Sequence, residues 1–451
     1  VDRRDLINKI FEEGRKAGLE DMEVYIQGSN NFNLRVFKGE IDNYSISKEE
    51  GLSFRCLYNG KMGYSYTEKI DETSIDMLIN EAIENAKVID SEDIEEIFAG
   101  SNTYREVNSF NDKLENVSAK DEIEFIKLLE KEALKLDSRV VSVPHCIFGK
   151  QSLYTMLVNT KGLDLENKSN IAYAYVNVMV KENDDVKTSS KYVISNDFSE
   201  FDYKALAKQA VDEAISMLGA ESIKSDAYPI ILRNDVAANI LEAFSPIFSA
   251  ENVQKDLSLL KGKLNKKIAN EIITIVDDPF MKGGIASCSF DSEGVATKYK
   301  KVIDKGVLTT YLHNTKTAKK DGVQSTGNGF KSSFKSPVSI SPTNMYIEKG
   351  DKSLDELIKS IRKGILITNV EGLHSGLNTV SGDFSLASSG YEIVDGRINR
   401  PVNQITIAGN FYDLLNNVLE VGNDLKFALP MGNGFIGSPS LKIKELSVSG
   451  I

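Results

Sequence analysis

Apolar positions at helical spacing open the chain: Leu6, Ile7, Ile10 and Phe11 form one stripe over residues 5–17, and Gly18 marks the stop. The period then changes to two. Leu52, Phe54, Cys56 and Tyr58 alternate, Asn59-Gly60 carries the chemistry of a type I′ hairpin turn, and Tyr64 and Tyr66 return on the partner strand. Helical spacing resumes with Ile75, Leu78, Ile79, Ala82, Ile83 and Ala86. The same order then recurs. Ser118-x-x-Asp121 resembles a capping box opening a helix with Ile126, Leu129, Ala133 and Leu136 on one stripe. Strands follow over 140–194, with Tyr173 and Tyr175 on one face. A helix with Leu206, Ala210, Val211, Ala214 and Leu218 inward stops at Gly219. Gly39 and Gly162 hold comparable places in the two copies, so the pattern predicts a duplicated helix–meander–helix unit.

A polar joint at 220–227 ends this region. Residues 228–232 read as a strand and 234–244 as a helix that Pro246 ends. From Glu271 the chain is mostly strand and turn, with turn signals at Asp304-Lys305-Gly306 and Asp395-Gly396, one helix at 353–363 and a last strand at 441–448. The pattern predicts an α+β protein of two domains. Residues 1–220 form an N-terminal α+β domain built on the duplication, and 227–451 a strand-rich domain with a mixed or antiparallel sheet.

Composition narrows the function. The 451 residues are 41% hydrophobic and 27% charged, an ordinary globular balance. The net charge of −12, without a Lys/Arg block, speaks against direct nucleic-acid binding, and the short basic runs at 298–301 and 316–320 read as solvated faces. No apolar run reaches the roughly 18 residues of a bilayer span, and no apolar core follows the arginines near the N-terminus. A cytoplasmic protein without membrane contact is expected. Three distant cysteines, Cys56, Cys146 and Cys288, do not predict a disulfide framework.

Several motifs fail for physical reasons. Gly432-Asn433-Gly434-Phe435-Ile436-Gly437 spells a dinucleotide fingerprint, but Pro439 and a strand-like run follow where a helix is required. Ser375 stands beside His374, and adjacent residues rarely reach nucleophile–base geometry. Only His145, His313 and His374 exist, none locally paired, and His145 and Cys146 point to opposite faces of a strand. Asp277-Asp278-Pro279 reads as a turn rather than an acid–base pair.

An ordered set of short motifs says more. Ile275-Val276-Asp277-Asp278-Pro279 is followed by Ser289-Phe290-Asp291-Ser292-Glu293-Gly294, Val302-Ile303-Asp304-Lys305-Gly306 and Ser325-Thr326-Gly327-Asn328. Val380-Ser381-Gly382-Asp383, Ile407-Ala408-Gly409-Asn410, Val421-Gly422-Asn423-Asp424 and Ser438-Pro439-Ser440-Leu441 come later. In this order they resemble the TldD/PmbA family (peptidase U62, once labelled modulators of DNA gyrase). The resemblance implies a two-domain α+β fold and a dimer. In the family a TldD-type chain carries His-Glu-x-x-x-His and a cysteine near its C-terminus as metal ligands, and a PmbA/TldE-type chain pairs with it and lacks them. The pair cleaves unfolded or leader peptides.

In this sequence the metal-motif position falls at Leu241, Glu242 and Pro246, and no cysteine follows Cys288. That departure matches the PmbA/TldE branch: no catalytic residue and no metal in this chain, with zinc expected only in a TldD-type partner. Glu242 is expected to be an ordinary helix-surface residue. His374, Asn378, Ser381, Gly382 and Asp383 are the candidates for a peptide-cleft wall, where a peptide would add as a strand. Two alternatives stand beside this: a stand-alone metallopeptidase with a metal on His374 or His313 and a carboxylate, and a regulatory binding protein of the gyrase-modulator kind.

Overall fold

The computed structural model describes residues 2–90, 93, 95–430, 432 and 434–451. Helix α1 (Arg3–Lys16) starts where the Asp2 carboxylate accepts from Arg4 N at 2.8 Å, and it buries Leu6, Ile7, Ile10 and Phe11. A meander of β1 (Met22–Phe37), β2 (Glu40–Tyr58) and β3 (Lys61–Thr67) follows, closed by α2 (Ile75–Val88). After the short α3 (Asp112–Glu115), the second unit repeats the plan: α4 (Ala119–Leu136), β4 (Val140–Asn159), β5 (Asp164–Glu182), β6 (Asp185–Ser195) and α5 (Tyr203–Ser216). Gly39 and Gly162 occupy the first hairpin of each unit at φ +78° and +96°, a backbone region that a side chain disfavours. The two meanders form one antiparallel sheet in the order β3-β2-β1-β4-β5-β6, joined through β1 and β4.

This sheet has two unlike faces. Met22, Val24, Ile26, Leu52, Phe54 and Cys56 point to α1 and α2, while Ala172, Ala174, Val176 and Val178 point to the core under α4 and α5. The alternate residues Glu23, Tyr25, Ser53 and Arg55 are also buried, against the C-terminal half of the chain.

That half begins with β7 (Asp226–Leu232), α6 (Asn234–Phe244) and α7 (Ala250–Gln254), then β8 (Ile275–Asp277), β9 (Lys300–Asp304), β10 (Val307–Leu308) and α8 (Thr315–Asp321). Next come β11 (Gly329–Phe330), β12 (Ser339–Ile340), β13 (Asn344–Ile347), α9 (Leu354–Lys359), β14 (Lys363–Glu371), β15 (Asp383–Val394) and β16 (Arg397–Asn410). The series ends with α10 (Phe411–Asn416), β17 (Val418–Val421), β18 (Lys426–Phe427), β19 (Phe435–Ser438) and β20 (Leu441–Ser449). The helix expected at 353–363 stops at Lys359, because the chain turns and Lys363 already pairs with Val394 in the sheet. Strands β16-β15-β14-β7-β20 close into a barrel through the β16–β20 pairing, around the largest apolar core. A mixed sheet, β10-β9-β8-β13-β19-β18, lies beside it. Among the described residues no helix is long and apolar enough to cross a membrane.

Buried charges join the halves. Arg55 donates to Glu23 Oε1 at 2.9 and 2.6 Å, and its other guanidinium nitrogen lies 3.8 Å from Glu293. Lys331 donates to Ser53 Oγ at 2.8 Å, with its ammonium 4.8 and 4.9 Å from the ring centres of Tyr25 and Tyr64. Tyr64 donates to the carbonyls of Phe334 and Ser336, and Tyr104 to that of Gly294 at 2.8 Å. Burial, with the nearby Arg55 charge, pushes the Lys331 amine down to about 7.

Two outcomes follow from this packing. An unfolded lysine titrates near 10.5 and folded Lys331 near 7, so between these values the unfolded chain holds more protons and stability rises with pH. Denaturant unfolding across pH 7–10 is expected to show the native protein gaining on Lys331→Met by up to about 1.4 kcal/mol per pH unit; parallel profiles would refute the linkage. In β3, a Cβ on Gly63 would run into the Ala82 carbonyl oxygen of α2. Gly63→Ala is expected to cost about 1–3 kcal/mol in the same assay, and an unchanged midpoint would contradict it.

Candidate functional site

The metal-motif position lies on α6, which packs between β18 and β19 on one side and β14 on the other. Leu241 is buried in the barrel core and Pro246 opens a 3₁₀ turn, so neither offers a metal donor. Glu242 is 0% exposed, which corrects the expectation of a helix-surface residue. The reason is that α6 leaves no face exposed: the polar stripe of Asp235, Asn239 and Glu242 is covered as well as the apolar one of Val236, Ala237, Ile240, Leu241 and Phe244. The residues here do not fit a zinc ion. Among the described residues no group of three or more His, Cys, Asp or Glu side chains is arranged to hold a metal. His313 is buried with Nδ1 3.3 Å from Thr317 Oγ1, and burial lowers its pKa. His374 stands exposed in a turn, and His145 is exposed while Cys146 is buried on the opposite face.

The N-terminus of α6 is held by two of the sequence motifs. Asn234 N donates to Ser440 Oγ at 3.0 Å, Asn234 Nδ2 to the Asp424 carbonyl at 2.7 Å, and Ser440 N and Oγ to the Asp424 carboxylate at 2.9 and 2.7 Å. Just before the helix, Arg233 donates to Asp235 at 2.7 Å, to Glu213 of α5 at 2.6 Å and to the Thr368 carbonyl at 2.8 Å. Burial alone would raise the Asp235 and Glu213 carboxyls, but Arg233 outweighs it and holds both below their usual values.

Other motif residues are internal struts. Asp277 is buried, and its carboxylate accepts from Lys300 at 2.8 Å, Asn328 at 2.9 Å, and Thr343 N and Oγ1 at 2.7 Å. Asp278 makes the turn, accepting from Phe280 N at 2.9 Å. Asp291 accepts from the amides of Glu293, Val295 and Gly329, and burial beside Glu293 raises its pKa all the same. The basic run on α8 is neutralised: Lys316 and Lys320 pair with Asp93, and Lys319 with Glu96.

Of the residues proposed for a cleft wall, Asn378, Ser381, Gly382 and Asp383 form one compact turn leading into β15, and His374 sits in a separate turn at 372–376. Asn378 Oδ1 accepts from Val380 N and Ser381 N at 2.9 and 3.2 Å, and Ser381 Oγ and Asn410 Nδ2 donate to Asp383 at 2.8 and 2.9 Å. Gly382 sits at φ +86°, with no room for a Cβ beside Tyr412. His374 and Asn378 are exposed; none of the five residues lines the groove described next.

The groove runs between the polar face of the N-terminal sheet and the C-terminal half. Two adjoining cavities of about 560 and 250 Å³ share Leu153, Ser169 and Ile285. The larger is lined by Asn31, Asn33, Gln151, Asn170 and Tyr173 under Leu429 and Pro430, and the smaller reaches Tyr25, Cys288, Asp291 and Lys331. These residues come from sequence positions far apart, so no local pattern marks them. The one signal was the alternation that put Tyr173 opposite the apolar face of β5. Of the GxGxxG-like run, Phe435 and Ile436 begin β19, and Asn433 lies outside the described residues.

Three family models match in chain order: PmbA/TldA metallopeptidase domain 1 over residues 22–86, the central domain over 112–218 and the C-terminal domain over 225–450. A crystal structure from Thermotoga maritima, of a protein described as a candidate modulator of a DNA gyrase, superposes with a TM-score of 0.90 at 34% identity, covering 99% of this chain and all of that one. TldE from Thermococcus kodakarensis has the same fold, at a TM-score of 0.90 and 23% identity, with 99% and 100% covered. A metalloprotease PmbA homolog of Haemophilus influenzae is 25% identical over 98% of this chain and 95% of its own length. By motif order, fold and these matches, the chain belongs to the TldD/PmbA family, on its PmbA/TldE-type side.

Proposed function

We propose that this chain is the non-catalytic, PmbA/TldE-like subunit of a two-chain metallopeptidase that acts on unfolded or leader peptides in the cytoplasm. One observation carries the proposal. A chain that matches the family along nearly its whole length has Leu241 and Pro246 where the histidines of the catalytic type would stand, on a helix with no solvent face. A general base without a metal-bound water has nothing to activate, so Glu242 alone would not hydrolyse a peptide bond. The zinc belongs to a TldD-type partner.

The groove supports a role in holding peptide. Its Asn, Gln and Ser side chains offer amide and hydroxyl groups that match a peptide backbone whatever its sequence, and Leu153, Ile285 and Leu429 add apolar contact. Recognition of this kind suits unfolded segments, which present backbone rather than a shaped surface.

Two measurements test the proposal. Zinc and iron are measured in the pure chain by elemental analysis, beside cleavage of an unfolded peptide with and without a TldD-type chain. Negligible metal and cleavage only in the mixture are expected. About one metal per chain, with cleavage by this chain alone, would sink the subunit assignment. In the mixture, Leu153→Arg is expected to raise KM for the peptide about tenfold with kcat little changed, because it blocks binding and leaves the chemistry alone. An unaltered KM would remove the groove from peptide binding.

A further inference from the structure

Another cavity lies at the junction of the two halves and shares no lining residue with the groove. Its volume is about 380 Å³, within the range of small-ligand sites. The inner wall is made by Arg55, Glu293, Asn314 and Thr317, all buried. Glu251 and Lys255 of α7 and Lys316 of α8 stand at the mouth, where their side chains are 41%, 61% and 40% exposed. Met62, Pro337 and Val338 give the wall an apolar stretch.

Arg55 is not fully satisfied at this wall. Its Nε and Nη2 both donate to Glu23 Oε1, and Glu23 is not part of the cavity. Glu293 is part of it, but its Oε1 lies 3.8 Å from Nη1, beyond hydrogen-bond reach, and its carboxylate is already engaged by Thr315 N and Oγ1. Nη1 therefore brings two N–H groups to the inner end of the cavity that no described residue accepts, on a side chain only 8% exposed. An unmet charged donor at that depth is costly, so the site calls for an oxygen acceptor from within the cavity. A bare anion is not the match. The lining holds four basic side chains (Arg55, Lys255, Lys316 and Lys320) against four acidic ones, so its net charge is zero. Lys316 is held by Asp93 and Glu95. Glu251 accepts from Lys255 at 2.6 Å through one oxygen, and no described residue donates to the other. The cavity thus offers a donor for a carboxylate inside, an acceptor for an ammonium at the mouth, and apolar surface between.

We propose that this cavity binds a short zwitterionic peptide with an apolar side chain, its carboxylate on Arg55 Nη1, its ammonium on Glu251 and its side chain against Met62, Pro337 and Val338. This does not rest on the subunit assignment or on the groove, and its test needs neither a metal nor a partner chain.

The test is calorimetric titration of the full chain with the dipeptide Gly-Leu, with thermal midpoints to show that each variant folds. Saturable binding at one site per chain is expected. The amide of Gly-Leu lacks the carboxylate and N-acetyl-Gly-Leu lacks the ammonium, and each is expected to bind about tenfold more weakly or worse. Glu251→Gln is expected to weaken Gly-Leu about tenfold and to leave N-acetyl-Gly-Leu as it was, a coupling that ties the ammonium to this carboxylate. Val338→Trp fills the cavity and is expected to abolish binding, whereas Leu153→Arg, in the groove, is expected to bind Gly-Leu as the native chain does. Absence of binding would mean that water alone satisfies Arg55 and overturns the proposal. So does equal binding of the amide, or a loss of binding with Leu153→Arg and not with Val338→Trp.

Discussion

A guanidinium shared between the two halves of the chain organises this protein. Arg55 projects from the polar face of the N-terminal sheet, with Glu23 of the same sheet on one side and Glu293 of the C-terminal half on the other. Removing such a charge from water is costly unless partners surround it. The arrangement is therefore strongly directional: Glu293 has to arrive with its loop already shaped, and it does, since Thr315 N and Oγ1 donate to it at 2.8 and 2.6 Å. The same loop carries Asp291, whose three amide contacts fix the turn, and Ser292, which accepts from Lys331 N at 3.1 Å. The groove lies where it does because this junction sets the spacing between the sheet and the chain above it.

Much of the fold was written in local periodicity. The stripe from Leu6 to Phe11, the alternation from Leu52 to Tyr58 and the helix from Asn234 to Phe244 fall where hydrophobic spacing puts them, because each buries one face against a neighbouring layer. What the pattern hid was long-range. Glu242 reads as a surface residue until α6 is seen enclosed on both sides. Asp277, Asp291 and Asp424 are quoted readily as motif members, yet their work is to accept hydrogen bonds from residues up to 66 positions away in the chain, as Thr343 does for Asp277. Groove residues such as Asn31, Gln151, Ile285 and Leu429 share no sequence neighbourhood at all.

The contrast between the two halves bears on function. The barrel closes on itself through the β16–β20 pairing, with β17 added beside β20, whereas the N-terminal sheet runs open from β3 to β6 and is polar on one face. The floor of the groove is therefore supplied by the duplicated region, and the barrel gives α6 and its flanking motifs a rigid seat.

The barrel's closure also has a kinetic meaning. Strand β7 takes its neighbours from β14 and β20, and its pairing with β20 joins Leu232 to Leu441. At about 5–20 residues per second of synthesis, roughly ten to forty seconds separate the emergence of these two strands from a ribosome. During that interval the hydrophobic residues of β7 and α6 have no lid. The duplicated sheet, complete once β6 has emerged, can fold well before then, so the nascent protein would present a finished N-terminal region tethered to an unclosed barrel, the form most in need of a chaperone.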